Sequence, residues 1–344
     1  MLPDPGQLPA EPPLSEPPLS GSPSRPLLPS ASRLQPGITS TEPVQGQGLG
    51  SCHALPRSLS PSKIATFKDC PLSFKFSYID GLKEAPSIHA VKGTLVHRAL
   101  ERLFWELPAG QRSLERACGF AESELDAMTG DDPDLDALEL DDSGLAALLR
   151  QAKALIDGYF HLEDPDTIYP AGIEMALEAD VGGTRLRGII DRLDMDGNGN
   201  LTITDYKTGR APSSGFERAR FHGVNMYALL CEEVIGIRPA KVQLLYLQQP
   251  CVLSIGPSDQ AIRAMRKNIS ALWNAVVKAC DGGGFLPRIS GLCGWCGFKD
   301  LCPAHNSASP ATVASTTPAA GTATRNSIPA IPGTSTGNAT TAGC

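Results

Sequence analysis

A chain of 344 residues with a formal net charge of −7 can hold one large core or two ordinary ones, and its acidic balance excludes a protein that coats nucleic acid by charge alone. It does not exclude a local basic groove beside a site built from carboxylates. The start, MLPDPGQLPAEPP, has neither the basic residues nor the apolar run of a secretion signal, and no later stretch has the roughly 18 apolar residues of a membrane span. A cytoplasmic protein without a membrane partner is therefore expected, and in that setting ten cysteines point to metal ligation rather than disulfides.

Residues 1–56 are crowded with Pro, Ser, Leu and Gly, and residues 306–344 with Ala, Thr, Ser, Pro and Gly. Neither segment can bury enough apolar surface to offset the entropy of ordering it, so both read as disordered tails around a domain at 57–305. The fold begins near FKDCPLSFKFSYIDGLK (67–83), which mixes aromatic and basic residues. Apolar side chains at 96, 99, 100, 103, 104 and 107 predict a helix over 88–107. Helical patterns follow near 112–128 and 143–161, and the acidic TGDDPDLDALELDD between them reads as a solvated loop. Three strands are predicted at 172–181, 183–195 and 200–207, punctuated by Gly182-Gly183 and by Asp196-Gly197-Asn198-Gly199. A helix across 215–236, a strand at 241–248 and a helix at 258–280 complete an α+β layer arrangement.

The stretch DMDGNGNLTITDYK (194–207) admits two readings. Counted from Asp194, oxygen-bearing side chains stand at the spacing of a calcium loop, with Gly199 sixth. Such a loop needs a helix on each side, whereas TGRAPSSG directly after it contains two glycines and a proline. Two strands and a turn account for more. Alternation then puts Leu201, Ile203, Asp205 and Lys207 on one side, and Ile189, Asp191, Leu193 and Met195 together in the preceding strand. A carboxylate in an apolar face is costly unless it binds a cation or forms an ion pair, here Asp205 with Lys207. Near the end, Cys293, Cys296 and Cys302 lack a fourth ligand, for which Cys70 and His305 are the candidates; His305 would complete a local zinc site.

GIIDRLD followed by TDYKTG resembles the PD-(D/E)XK nucleases of the RecB-like branch, and other pieces fall in the same order. GTLVHRALERLF is similar to that branch's G-x-x-x-H helix and contributes His97; GIEMALEADV is similar to its strand with a leading glutamate, Glu174. FKDCP and CGWCGFKDLCP resemble its iron–sulfur cysteines. The resemblance implies a restriction-endonuclease-like αβββαβ core with added N-terminal helices and a C-terminal cysteine segment. It implies a metal-dependent DNA exonuclease acting at single-stranded ends in repair or recombination.

Carried onto this sequence, the resemblance makes His97, Asp191, Asp205 and the Tyr206 carbonyl ligands of Mg²⁺ or Mn²⁺. Lys207 would orient or deprotonate the attacking water, and Glu174 would aid a second metal or cap the strand edge. Arg192 would pair with Asp194 to support the strand, and Tyr227 would contact DNA or the metal-bound water. Cys70, Cys293, Cys296 and Cys302 would hold a 4Fe–4S cluster, shielded by Trp295, with zinc as the alternative. One departure stands out: Gly223 occupies the place of the branch's glutamine. That favours the alternative of a catalytically weak, nuclease-like DNA-binding subunit serving a helicase in another chain, since this sequence has no phosphate-binding GKS or GKT loop.

Overall fold

A computed structural model describes residues 53–306 other than 214, 216 and 283. Almost all of both expected tails lies outside the described residues. Residues 53–56 do carry contacts: Pro56 is buried, and the His53 ring meets Phe285 edge-on at 5.6 Å.

The chain enters through Leu59, fully buried and bridged to Leu186. Helix α1 (Pro61–Asp69) starts on a proline, and the Ser60 side chain accepts from the Lys63 N–H at 3.2 Å. Then come α2 (Pro71–Phe74) and a π-helical turn, Lys75–Ile79. Helix α3 (Ile88–Glu106) buries Val91, Leu95, Val96, Ala99, Leu100, Leu103 and Phe104 on one stripe. It packs with α4 (Leu114–Met128) and α6 (Asp142–Phe160). The acidic stretch between these two is mostly exposed, but it is not all loop. Asp132 caps a one-turn helix, α5 (Pro133–Asp136), whose Leu135 is buried.

Strands β1 (Pro170–Val181), β2 (Thr184–Met195) and β3 (Leu201–Lys207) follow as antiparallel neighbours. Helix α7 (Glu217–Val234) is the crossover that lets β4 (Lys241–Tyr246) pair parallel to β3. An unforeseen strand, β5 (Cys251–Ile255), adds antiparallel to β4, and α8 (Asp259–Gly282) closes the layer. The sheet order is β1-β2-β3-β4-β5. The predicted αβββαβ order is thus present, within an α+β fold. Helices α3, α4 and α6 share one core with Tyr206 and Leu245, and residues of α1, α7 and α8 share the other with Leu186, Ile190 and Ile203. Among the described residues no helix is long and apolar enough to cross a membrane.

Strict alternation along β2 fails at one place. Ile189 is 44% exposed while Ile190 is 1% exposed, so Ile189 does not share a buried face with Leu193. At the same level of the paired strand, Glu174 has φ of +44°, the left-handed region that a side chain makes costly. Ladder pairs flank it at Ile173↔Arg192 and Met175↔Ile190. On one side of this irregularity Met175, Leu186 and Ile190 join the core that α7 and α8 cover. On the other, Ile173 joins the core of α3 and α6, and Leu193 takes the α7 side. Glu174 and Asp191 stand at the level where the faces exchange.

Candidate active site

Four elements meet at this level. Helix α3 brings His97, and its approach depends on Gly93 one turn earlier: a Cβ there would lie 3.3 Å from Thr208 Oγ1, just past the end of β3. His97 Nδ1 is 3.5 Å from Asp191 Oδ2, and His97 Nε2 is 3.2 Å from the carbonyl oxygen of Tyr206. The β2–β3 ladder reaches Arg192↔Thr204; beside it the Asp191 carboxylate accepts the Tyr206 N–H at 2.8 Å. Donor atoms of His97, Glu174 and Asp191 all lie within 4.8 Å of one another. Asp205 stands outside that triplet, 7% exposed and ion-paired with Lys207, whose side chain still reaches solvent. Tyr227 of α7 lies over β2 at Gly188, where a Cβ would come within 2.7 Å of its ring. Burial, then Asp205, Asp191 and Glu174, hold its phenol well above the ordinary range. At Gly223 an added Cβ would meet nothing nearer than Pro61 at 3.8 Å.

Crowded acids with few cations shape the electrostatics. Burial, then Asp191, Glu101 and Asp205, raise Glu174 to about 7. Burial and Asp205 raise Asp191 to about 6, against the opposing pull of His97, the Tyr206 N–H and Lys207. Burial disfavours the Lys207 ammonium, yet Asp205 and Asp191 outweigh it and hold its pKa above the ordinary value, so it keeps its proton. An imidazole and clustered carboxylates beside a backbone carbonyl fit a hard or borderline divalent cation, Mg²⁺ or Mn²⁺.

The raised acids set a pH dependence. The folded state holds these protons more tightly than the unfolded chain, so their contribution to stability is full below the ordinary carboxylate pKa and is lost as pH rises through about 6 and about 7. Metal-free protein is expected to melt lower at pH 8 than at pH 5 through these groups. Glu174→Gln should narrow that difference, and melting curves at the two pH values check it.

The calcium loop does not form. Asp196 accepts from the N–H groups of Asn198 and Asn200 at 2.9 and 2.8 Å, closing the β2–β3 turn, while Asp194 pairs with Arg192 at 2.9 Å. Arg192 does more than support its strand. It heads the largest fully buried side chains, and its guanidinium also reaches Glu163, Tyr206 and Thr204, partners that local sequence could not supply.

Far along the chain, Cys70, Cys293, Cys296 and Cys302 line one cavity of ≈ 280 Å³ together with His305. All four thiols are free. The Arg288 N–H points at Cys70 Sγ (3.5 Å) and the Ser290 N–H at Cys293 Sγ (3.4 Å). Burial chiefly, with Cys70 and Cys302 among the smaller causes, pushes the Cys296 thiol up. Trp295 also lines this cavity and is 88% exposed. Ring contacts hold the lobe, Phe298 against Phe76 at 5.3 Å and Phe285 against Phe74 at 6.5 Å. Cys251 is disulfide-bonded, against the expectation that the cysteines serve metal ligation rather than disulfides.

Residues 58–303 match the family model described as the PD-(D/E)XK nuclease superfamily. No curated protein matches the chain. Among solved structures it is similar to a protein assigned as an exonuclease from Eubacterium rectale, at 13% identity over 75% of this chain and 91% of that one, with a TM-score of 0.47. It is also similar to the protein SSO0001, at 17% identity over 63% of this chain and 98% of that one, with a TM-score of 0.30.

Proposed function

The chain belongs to the PD-(D/E)XK nuclease superfamily, and on that premise we propose that it is a cytoplasmic, metal-dependent DNA exonuclease acting at single-stranded ends in repair or recombination. One observation carries the reading: the donor atoms of His97, Glu174 and Asp191 converge within 4.8 Å, beside the Asp205–Lys207 ion pair. When bound, a divalent cation supplies a water activated at neutral pH and neutralises charge on the phosphate. His97, Glu174 and Asp191 would hold it, with the Tyr206 carbonyl and Asp205 nearby. The Tyr206 N–H bond to Asp191 Oδ2 orients that carboxylate. Lys207, ion-paired with Asp205, would place positive charge where the phosphate's negative charge grows and would orient the attacking water.

Gly223 favours a second reading, a catalytically weak DNA-binding subunit of a helicase–nuclease complex. The test is cleavage by anaerobically purified protein with Mn²⁺, comparing linear with circular single-stranded DNA and wild type with Lys207→Ala. Loss of the linear strand alone, and with wild type alone, supports the exonuclease. Survival of both strands in metal-loaded protein would transfer the reading to the DNA-binding subunit.

Cys70, Cys293, Cys296 and Cys302 we assign to a 4Fe–4S cluster tying the start of the fold to its last segment, with zinc held by the three late cysteines and His305 as the alternative. Cys70→Ala is expected to abolish iron and acid-labile sulfide in anaerobic preparations, and His305→Ala to leave both intact. Zinc lost with His305→Ala would select the alternative.

A further inference from the structure

Beside the site lies a buried polar assembly centred on Arg192, which is 1% exposed. Its Nε donates to both Asp194 oxygens, at 2.9 and 3.1 Å. Its Nη2 donates to Glu163 Oε2 at 2.8 Å and to Thr204 Oγ1 at 3.2 Å. Its Nη1 donates to the phenol oxygens of Tyr206 at 2.9 Å and Tyr159 at 3.4 Å. Gln243 of β4 ties in by donating to Glu163 and Thr204. The guanidinium also stacks over Phe104 of α3, 4.8 Å from the ring centre.

These partners are the sequence neighbours of the site groups. Arg192 follows Asp191, Tyr206 lies between Asp205 and Lys207, and Phe104 is on the helix that carries His97. Tyr206 is the shared member. Its N–H binds Asp191, its carbonyl faces His97, its ring meets the His97 ring edge-on at 5.8 Å, and its hydroxyl ends on Arg192. A buried charge with two carboxylates is a poor way to fill a core, since apolar side chains of similar volume would cost less desolvation. The guanidinium differs from them in having a rigid fork that fixes several strands at once.

We propose that the Arg192–Tyr206 hydroxyl contact is a positioning device, which sets the Tyr206 backbone between Asp191 and His97 and thereby the spacing of the metal-facing donors. The inference rests on the metal-site reading above and goes beyond it in placing part of the metal's affinity on a buried side-chain contact outside the set of donors.

The test compares Tyr206→Phe with Tyr159→Phe in the full chain. Both keep a ring and remove a phenol from the same guanidinium, but only Tyr206 belongs to the strand that faces the metal. Mn²⁺ binding is measured by calorimetry and by the Mn²⁺ electron paramagnetic resonance line, with melting curves alongside. Tyr206→Phe is expected to weaken Mn²⁺ about tenfold and to broaden the line, while Tyr159→Phe stays close to wild type. Arg192→Lys, which keeps the charge and loses the fork, should follow Tyr206→Phe if it folds. Wild-type affinity in Tyr206→Phe, or equal losses in the two phenylalanine variants, would overturn the device and leave the metal site standing. Wild-type protein that binds no Mn²⁺ would instead overturn the site itself and the device with it.

Discussion

Asp191→Asn is expected to lower DNA cleavage by about 10³-fold, the scale of losing a group that holds charge at the reacting centre. The same change should raise the melting temperature of metal-free protein at pH 8. The asparagine Oδ1 can still accept the Tyr206 N–H now taken by Asp191 Oδ2, so the contact between β2 and β3 survives. What disappears is a buried carboxylate whose pKa burial and Asp205 have pushed to about 6. At pH 8 that group is ionised against its surroundings in the folded state, and removing it relieves the folded state more than the unfolded chain. The gain should shrink as pH falls through about 6 and be gone below the ordinary aspartate range, where the carboxyl is neutral in both states. A site that binds better when less stable is the usual trade between function and stability. Steady-state cleavage with Mn²⁺ and melting curves at pH 4 and pH 8 decide the matter. A variant that loses activity and melts lower at pH 8 would make Asp191 a structural carboxylate.

The elements that the sequence made legible are those whose side chains repeat. The helix bearing His97 and the three strands each show a period, and the Gly/Asn turns between strands hold their ladders in register. Two glycine positions, Gly93 and Gly188, make sense only against a neighbour brought close by the fold, Thr208 in one case and Tyr227 in the other. Glu174 is a different case. Its place beside His97 depends on a positive φ within a strand, and no local pattern announces that. At the same level Ile189 is exposed and Ile190 buried, where alternation had grouped Ile189 with Leu193. Arg192 looked like one half of a strand ion pair because Asp194 is two residues away. Its other carboxylate, Glu163, sits 29 residues earlier in sequence and itself accepts from Gln243, 80 residues on. A partner set spread over that distance is a property of packing, not of spacing. Strand β5 is five residues long, too short for its alternation to stand out after the turn that precedes it.

Gly158→Ala should be the most damaging single-methyl change in the described fold, against the normal rule for a helix. An exposed glycine inside a helix costs about 0.5–1 kcal/mol relative to alanine, so its replacement ordinarily stabilises. At Gly158, in the last turns of α6, an alanine Cβ would fall 2.0 Å from the carbonyl oxygen of Leu247 and 3.1 Å from its carbon. The obstacle is backbone, which cannot swing aside as a side chain does. Either α6 moves off the sheet or the chain after β4 shifts. The second route disturbs the site, because the Leu247 N–H donates to the Lys207 carbonyl at 2.9 Å. Overpacking of this kind costs about 3 kcal/mol or somewhat more. In a domain of this size that lowers the melting temperature by about 6–12 °C. Gly119→Ala in α4 is the matched control, since an added Cβ there meets nothing within 4 Å and should bring the usual small gain. If the two variants melt alike, α6 does not lie against Leu247. If Gly158→Ala alone melts low and cleaves poorly at temperatures where it remains folded, the close approach of α6 is part of what holds Lys207 in place.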